Sequence, residues 1–178
     1  MVPFIAVLYL IGVPGLWLAV VFLLASLTDL LDGFLARRLN QVSRFGAFLD
    51  PVADKLMIAV VLVLLISDRG VLDQVISSTC LSVVAAVILG REIAISALRE
   101  WMSEIGSRGR VAVSGVGKAK TTFQMLAVAF LLYREDLGVI PVFKVGEFML
   151  YLAGLLTLWS MVLYIRAAWS ELRETGSD

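Results

Sequence analysis

The sequence predicts an all-α membrane protein, a six-transmembrane-helix bundle with a polar cavity facing the cytoplasm. Composition is the first observation behind this. The 178 residues are 60% hydrophobic and only 17% charged, with a mean hydropathy of +0.95. Soluble domains are nearer half apolar and about a quarter charged. The second observation is a succession of long apolar runs divided by short polar, glycine or proline breaks. The third is that charged residues gather in a few segments and do not spread along the chain.

Taken in order, residues 1–12 (MVPFIAVLYLIG) are apolar and end at the turn signal Gly12-Val13-Pro14-Gly15. A full span needs about 20 residues, and the basic start of a signal peptide is missing. The stretch reads as the outer part of a first transmembrane helix whose beginning is absent, from truncation or an internal methionine start. A second helix is expected over Leu16–Leu39 and a third over about Phe45–Ser67, with Pro51 beginning or kinking it. Asp68-Arg69-Gly70 breaks that pattern. The fourth is expected from near Val71 to at least Leu98, its end REWMSEIG (Arg99 to Gly106) projecting into the interface. A basic, glycine-containing segment follows over Ser107–Lys120. The fifth helix covers Thr121–Tyr133, with a start as early as Gly117 allowed; Arg134-Glu135-Asp136 is a loop. The sixth runs over about Phe143–Trp169, with Trp159 and Trp169 suited to an interface. A polar, frayed tail over Glu171–Asp178 closes a single domain, residues 1–178.

Composition also excludes chemistry. There is no histidine, so any general base is a carboxylate or a lysine and no histidine metal site exists. The single cysteine, Cys80, rules out an internal disulfide and is expected in the core. A formal net charge of zero gives no bias toward nucleic acid.

The organising stretch is TDLLDGFLARRLNQVSRFGAFLDPVADK, Thr28 to Lys55. Asp29 and Asp32 lie three apart and Asp50 and Asp54 four apart, so each pair shares one helical face. Between them come Arg37, Arg38 and Arg44, which suggests two antiparallel helices joined by a short basic loop. Four carboxylates at a membrane boundary repel one another and resist desolvation unless a cation sits among them. Hard oxygen donors at this density point to two divalent ions, Mg²⁺ or Mn²⁺. The bland alternative is a set of interfacial residues snorkelling to water. Matched pairs argue against it, because intramembrane carboxylates are costly and usually functional.

Orientation follows from the basic residues. The aspartate side would hold Arg37, Arg38, Arg44, Lys55, Arg91, Arg99, Arg108, Arg110, Lys118, Lys120, Arg166 and Arg173; the other side holds Arg69, Arg134 and Lys144. Twelve against three places the aspartates in the cytoplasm. Within the second basic group, Arg91 lies about two turns inside the fourth helix. A buried arginine there needs an anion, from either a carboxylate or a substrate phosphate. The KAKTT run, Lys118 to Thr122, opens a helix and favours anions.

Asp29-x-x-Asp32-Gly33-x-x-Ala36-Arg37, then eight residues, then Gly46-x-x-x-Asp50-x-x-x-Asp54, resembles the signature of the CDP-alcohol phosphotransferase family. All eight defining positions are filled. The run Gly90–Thr122 is similar to the branch of that family whose acceptor is glycerol 3-phosphate. The resemblance implies transfer of a phosphatidyl group from CDP-diacylglycerol to sn-glycerol 3-phosphate with release of CMP. It further implies a homodimer in the cytoplasmic (inner) membrane of a bacterium, with the active site facing the cytoplasm. Asp29, Asp32, Asp50 and Asp54 would hold the metals, and Asp54 would be the base for the acceptor hydroxyl. Asp29, Gly33, Ala36, Arg37 and Gly46 would receive the CDP group, the small residues letting the nucleotide lie against the backbone. Arg91, Arg110, Lys118 and Lys120 are the candidates for the acceptor phosphate. One competing reading keeps the fold and metals but changes the acceptor to inositol phosphate, serine or a phosphatidyl lipid. A neutral acceptor such as serine leaves the second basic group without a role. Another is a non-enzymatic ion carrier, which requires an acidic path across the membrane; Asp68, Asp73, Glu135 and Asp136 fall in opposite loops, with no acidic chain between.

Overall fold

The computed structural model describes the backbone of residues 1–38, 44–104 and 115–175; inside those helices the side chains of residues 29–30, 32–38, 44–51, 53–54, 103–104, 115–119, 167–168 and 170–175 lie outside the described set. The described residues form seven α-helices: α1 (Val2–Leu10), α2 (Gly15–Arg38), α3 (Arg44–Ser67), α4 (Arg69–Leu72), α5 (Ser78–Glu104), α6 (Gly115–Tyr133) and α7 (Val142–Thr175). Helices lie over all six expected stretches, with one additional short helix, α4, and with several boundaries that differ. Pro51 lies within α3, whose helical backbone continues through it. Asp68 does end α3, but it also N-caps the short α4, its carboxylate accepting from the Gly70 N–H at 2.8 Å. The next long helix therefore begins at Ser78, not near Val71; Ser77 caps it, accepting from the Cys80 N–H at 3.2 Å. The last helix continues to Thr175, beyond the expected end.

Local signals explain the joints. Pro3 occupies the first turn of α1, where its missing N–H costs nothing. Gly12 ends α1 at φ +75°, with Val13 N–H bonded to Leu8 C=O and Gly12 N–H to Tyr9 C=O. This is a Schellman closure, which needs a residue without a side chain at that position. Gly138 at φ +63° turns the α6–α7 connection, where Leu137 and Ile140 form a single bridge.

The core gathers Phe22 of α2, Met57, Leu62 and Leu65 of α3, Leu81 and Ile88 of α5, Leu131 and Leu132 of α6 and Leu150 of α7. A smaller cluster of Ile95, Met102 and Tyr164 joins α5 to α7. Helix α6 packs on α7 and α2, α5 on α7, and α3 on α1, α5, α6 and α2. Among the described residues, two helices, over Ser78–Met102 and Val142–Arg166, are long and apolar enough to cross a membrane. Only 28% and 33% of those stretches is buried, so their apolar surface faces outward, as a lipid-facing helix requires and a soluble core helix does not. Cys80, expected in the core, is exposed. An apolar run does not separate core from lipid face when both are apolar.

Small residues set the closest approaches. A Cβ at Gly15 would meet the Tyr133 carbonyl oxygen at 2.2 Å and that of Leu132 at 2.6 Å. The start of α2 thus abuts the carbonyl end of α6, an opposed-dipole contact that only glycine permits. Gly15→Ala is expected to lower the melting temperature in detergent, corresponding to about 1–3 kcal/mol of overpacking. Gly90→Ala, with nothing within 4 Å of its would-be Cβ, is the control and should leave the melting temperature unchanged or slightly raised. Equal effects at both positions would remove the steric account.

One end of the bundle is tied by Tyr9, Asp68 and Arg134. The Arg134 guanidinium donates to Asp68 Oδ2 at 2.5 Å and to the Tyr9 hydroxyl, which donates to Asp68 Oδ2 at 2.8 Å. Arg134 also lies 5.2 Å from the centre of the Tyr9 ring and adopts φ +63°, unusual for a residue with a side chain. Nearby, buried Glu147 accepts from the Ile76 N–H and the Tyr151 hydroxyl, each at 2.7 Å, and from Lys144 at 3.2 Å. Partial burial pushes the Asp68 carboxyl up, but hydrogen bonds from Arg134, Tyr9 and the Gly70 N–H, with the Arg134 charge, outweigh it and hold it below the ordinary value of 3.8. A carboxyl lowered in the folded state stabilises the fold above its unfolded value and loses that contribution as pH falls through the folded value. Thermal stability of the wild type should therefore drop below about pH 4 more steeply than that of Asp68→Asn; parallel curves would exclude Asp68 as a contributor.

Candidate active site

The motif aspartates fall on two packed helices. Asp29 and Asp32 are in the second half of α2, Asp50 and Asp54 in the first half of α3, and the two helices are in contact. Gly33, Ala36 and Arg37 share α2, and Gly46 shares α3. Each pair is one helical turn apart, as the sequence requires. The side chains of Asp29, Asp32, Arg37, Asp50 and Asp54 lie outside the described set.

Lys55, immediately after Asp54, is described, and it leads into a buried polar cluster. Its ammonium hydrogen-bonds Ser96 Oγ on α5, and Ser96 Oγ donates to the Glu92 carbonyl at 2.7 Å. The Glu92 carboxylate accepts from Lys120 of α6 and lies 3.4 Å from Arg91 Nη1. Arg91 Nη2 donates to Ser160 Oγ of α7 at 3.0 Å, and its guanidinium sits 5.4 Å from the centre of the Tyr164 ring. Lys120 and Arg91 are 2% and 8% exposed, so each must find its counter-charge within the protein. Glu92 is that carboxylate. The anion required by Arg91 is thus its own sequence neighbour, with a hydroxyl and an aromatic face beside it.

Against this cluster lies a cavity of about 210 Å³ lined by Lys55, Ile58, Glu92, Arg99, Thr121, Gln124 and Met125. It sits where α3, α5 and α6 meet. The Nε atoms of Arg91 and Arg99 are buried without a hydrogen-bond partner among the described residues. Among the described residues, Lys55, Arg91 and Lys120 lie around the Glu92 carboxylate, and Arg99 lines the same cavity. Such a site is suited to a small dianion.

Of the four residues expected at an acceptor phosphate, the structure brings Arg91 and Lys120 together through Glu92. Lys118 is in the first turns of α6, its side chain outside the described set; Arg110 lies outside the described residues. Helix α6 begins at Gly115, before the KAKTT run. Its unpaired backbone N–H groups therefore belong to the residues up to Lys118, not to the whole run. Sequence reasoning gave Lys55 no role beyond topology and overlooked Ser160, Tyr164 and Gln124. Ser160 and Tyr164 are four apart on one face, a signal readable only once Arg91 is known to face them.

Residues 1–164 match the family described as CDP-alcohol phosphatidyltransferase. The chain belongs to this family. It is accordingly an enzyme, and the signature of paired aspartates on α2 and α3 falls within the matched span. A Yersinia pestis (strain Pestoides F) protein named CDP-diacylglycerol–glycerol-3-phosphate 3-phosphatidyltransferase is 47% identical over 179 residues, covering 98% of this chain and 91% of the relative. Proteins of the same name from Salmonella choleraesuis (strain SC-B67) and Shigella flexneri serotype 5b (strain 8401) are each 46% identical over 176 residues, 97% of this chain and 90% of the relative. The family signature and these relatives converge on phosphatidyl transfer.

Proposed function

We propose that this chain transfers the phosphatidyl group of CDP-diacylglycerol to sn-glycerol 3-phosphate, forming phosphatidylglycerophosphate and CMP. The supporting observation is that α3 carries the last motif aspartate and, one residue later, a cation of the cavity. The reacting end and a charged acceptor's binding place are thus adjacent along one helix. A neutral acceptor would make no use of the positive charge that Lys55 and Arg99 bring to the cavity.

Four aspartates, in a chain without histidine, form an all-oxygen donor set fit for Mg²⁺ or Mn²⁺. Asp29, Asp32, Asp50 and Asp54 would hold two such ions, which when bound neutralise the pyrophosphate and favour in-line displacement. Asp54 takes the proton of the acceptor hydroxyl as that oxygen bonds to the phosphorus carrying the diacylglycerol. The bond from that phosphorus to the CMP oxygen breaks, and CMP leaves with the electron pair. Asp29, Gly33, Ala36, Arg37 and Gly46 seat the CDP group. Arg91, Arg110, Lys118 and Lys120 supply positive charge for the acceptor phosphate. The single domain is a six-span bundle with its cavity open to the cytoplasm, a homodimer in the bacterial inner membrane, and the diacyl tails stay in lipid.

The test is CMP release from CDP-diacylglycerol by purified protein in detergent. Release should require both Mg²⁺ or Mn²⁺ and sn-glycerol 3-phosphate, stop with EDTA, and return on adding metal. Release without acceptor would indicate hydrolysis. Release only with inositol phosphate or serine would overturn the acceptor and keep the chemistry.

A further inference from the structure

The cations of the cavity divide into two layers. Arg91 and Lys120 are nearly inaccessible and joined to Glu92, with Ser160 and Tyr164 completing the surroundings of Arg91. Neither lines the cavity. Lys55 and Arg99 do, one from α3 and one from α5, together with Glu92 and the neutral polar residues Thr121 and Gln124. Arg99 also keeps a buried Nε without a partner among the described residues. A ligand entering this space meets Lys55 and Arg99 first. Reaching Lys120 requires breaking its ion pair with Glu92, and Lys120 is 2% exposed.

Resting on the acceptor reading above, we infer that Lys55 and Arg99 contact the phosphate of the acceptor directly, and that Arg91 and Lys120 are positioning residues locked by Glu92. Guanidinium and ammonium on different helices grip the phosphate from two sides, Arg99 by its planar fork and Lys55 as a point charge. Because Lys55 adjoins Asp54, the grip also fixes how far the acceptor hydroxyl lies from the base. Lys55 thereby couples recognition to the motif helix. Ser96, holding both the Lys55 ammonium and the Glu92 carbonyl, keeps the two layers in register.

The experiment is steady-state kinetics on the full chain in detergent with both substrates varied. Lys55→Met and Arg99→Met should each raise KM for sn-glycerol 3-phosphate by at least about tenfold, the scale of one charge-assisted contact. KM for CDP-diacylglycerol should stay within about twofold of wild type. Lys55→Arg, which keeps the charge, should recover most of the loss. An unchanged KM for glycerol 3-phosphate in both Met variants, or equal rises for the two substrates, overturns the assignment. A second measurement uses wild-type protein and does not depend on the variants folding: amine acetylation followed by mass spectrometry. Saturating sn-glycerol 3-phosphate should protect Lys55 from acetylation, and CDP-diacylglycerol alone should not; equal labelling with and without the acceptor overturns the assignment. A wild-type enzyme that ignores glycerol 3-phosphate altogether sinks the acceptor reading, a result distinct from either of these.

Discussion

Asp54→Asn is expected to abolish CMP release, by about 10²–10⁴-fold from loss of general-base catalysis alone, while metal-dependent retention of CDP-diacylglycerol survives in part. Asparagine preserves the shape of the side chain and one oxygen donor but accepts no proton. Turnover and lipid binding therefore separate. The measurement is CMP release beside equilibrium binding of CDP-diacylglycerol with and without Mg²⁺. Unchanged turnover would remove Asp54 as the base. Loss of binding in proportion to turnover would assign it to cation holding alone. The same substitution at Asp29 should reduce both quantities together, since that residue is proposed to serve the metal and the CDP group and to move no proton.

Glu92→Leu should produce the largest loss of stability, about 3–5 kcal/mol, the usual cost of stripping the partner from a buried charge. Lys120 and Arg91, 2% and 8% exposed, would keep their charges without the carboxylate they share. Thermal unfolding in detergent measures this against wild type. The double variant Glu92→Leu with Lys120→Met should recover part of the loss, because one orphaned charge goes with it. Glu92→Gln should cost less than Glu92→Leu, since an amide oxygen still accepts from Lys120. A melting temperature unmoved by Glu92→Leu would mean that the two cations find their counter-charge elsewhere.

These two residues show how unequally the site is written in the sequence. The placement of Asp54 on α3, one turn from Asp50, is legible because the signature lies within a few turns of two neighbouring helices, where spacing alone fixes which carboxylates share a face. The composition and apolar runs likewise settle an all-α chain and its long helices. Lys55 and Arg99 are not legible in this way. They meet at the cavity only because α3, α5 and α6 pack together, and no spacing along the chain records that meeting. Arg91 shows the intermediate case: its need for an anion follows from its depth in an apolar run, but whether a carboxylate or a substrate meets it depends on side-chain geometry. The start of α5 was obscured by the apolar residues Val71, Val75 and Ile76, which extend the run; Ser77, Ser78 and Thr79 were the capping signal that resolves it. Cys80 was misplaced because a helix facing lipid and a helix facing the core are equally apolar.

The junction of Tyr9, Asp68 and Arg134 has a consequence for how the protein is made. Tyr9 lies 59 residues before Asp68 and 125 before Arg134. On a ribosome elongating at roughly 5–20 residues per second, the 125-residue interval takes about 6–25 s. Throughout that time the first helix has been synthesised but lacks its final guanidinium partner. Helix α1 is thus locked only after α6 has been made, and the end of α6 acts as the clasp. A nascent chain stalled before Arg134 would hold α1 loosely, and its tyrosine would remain open to chemical labelling until that arginine arrived.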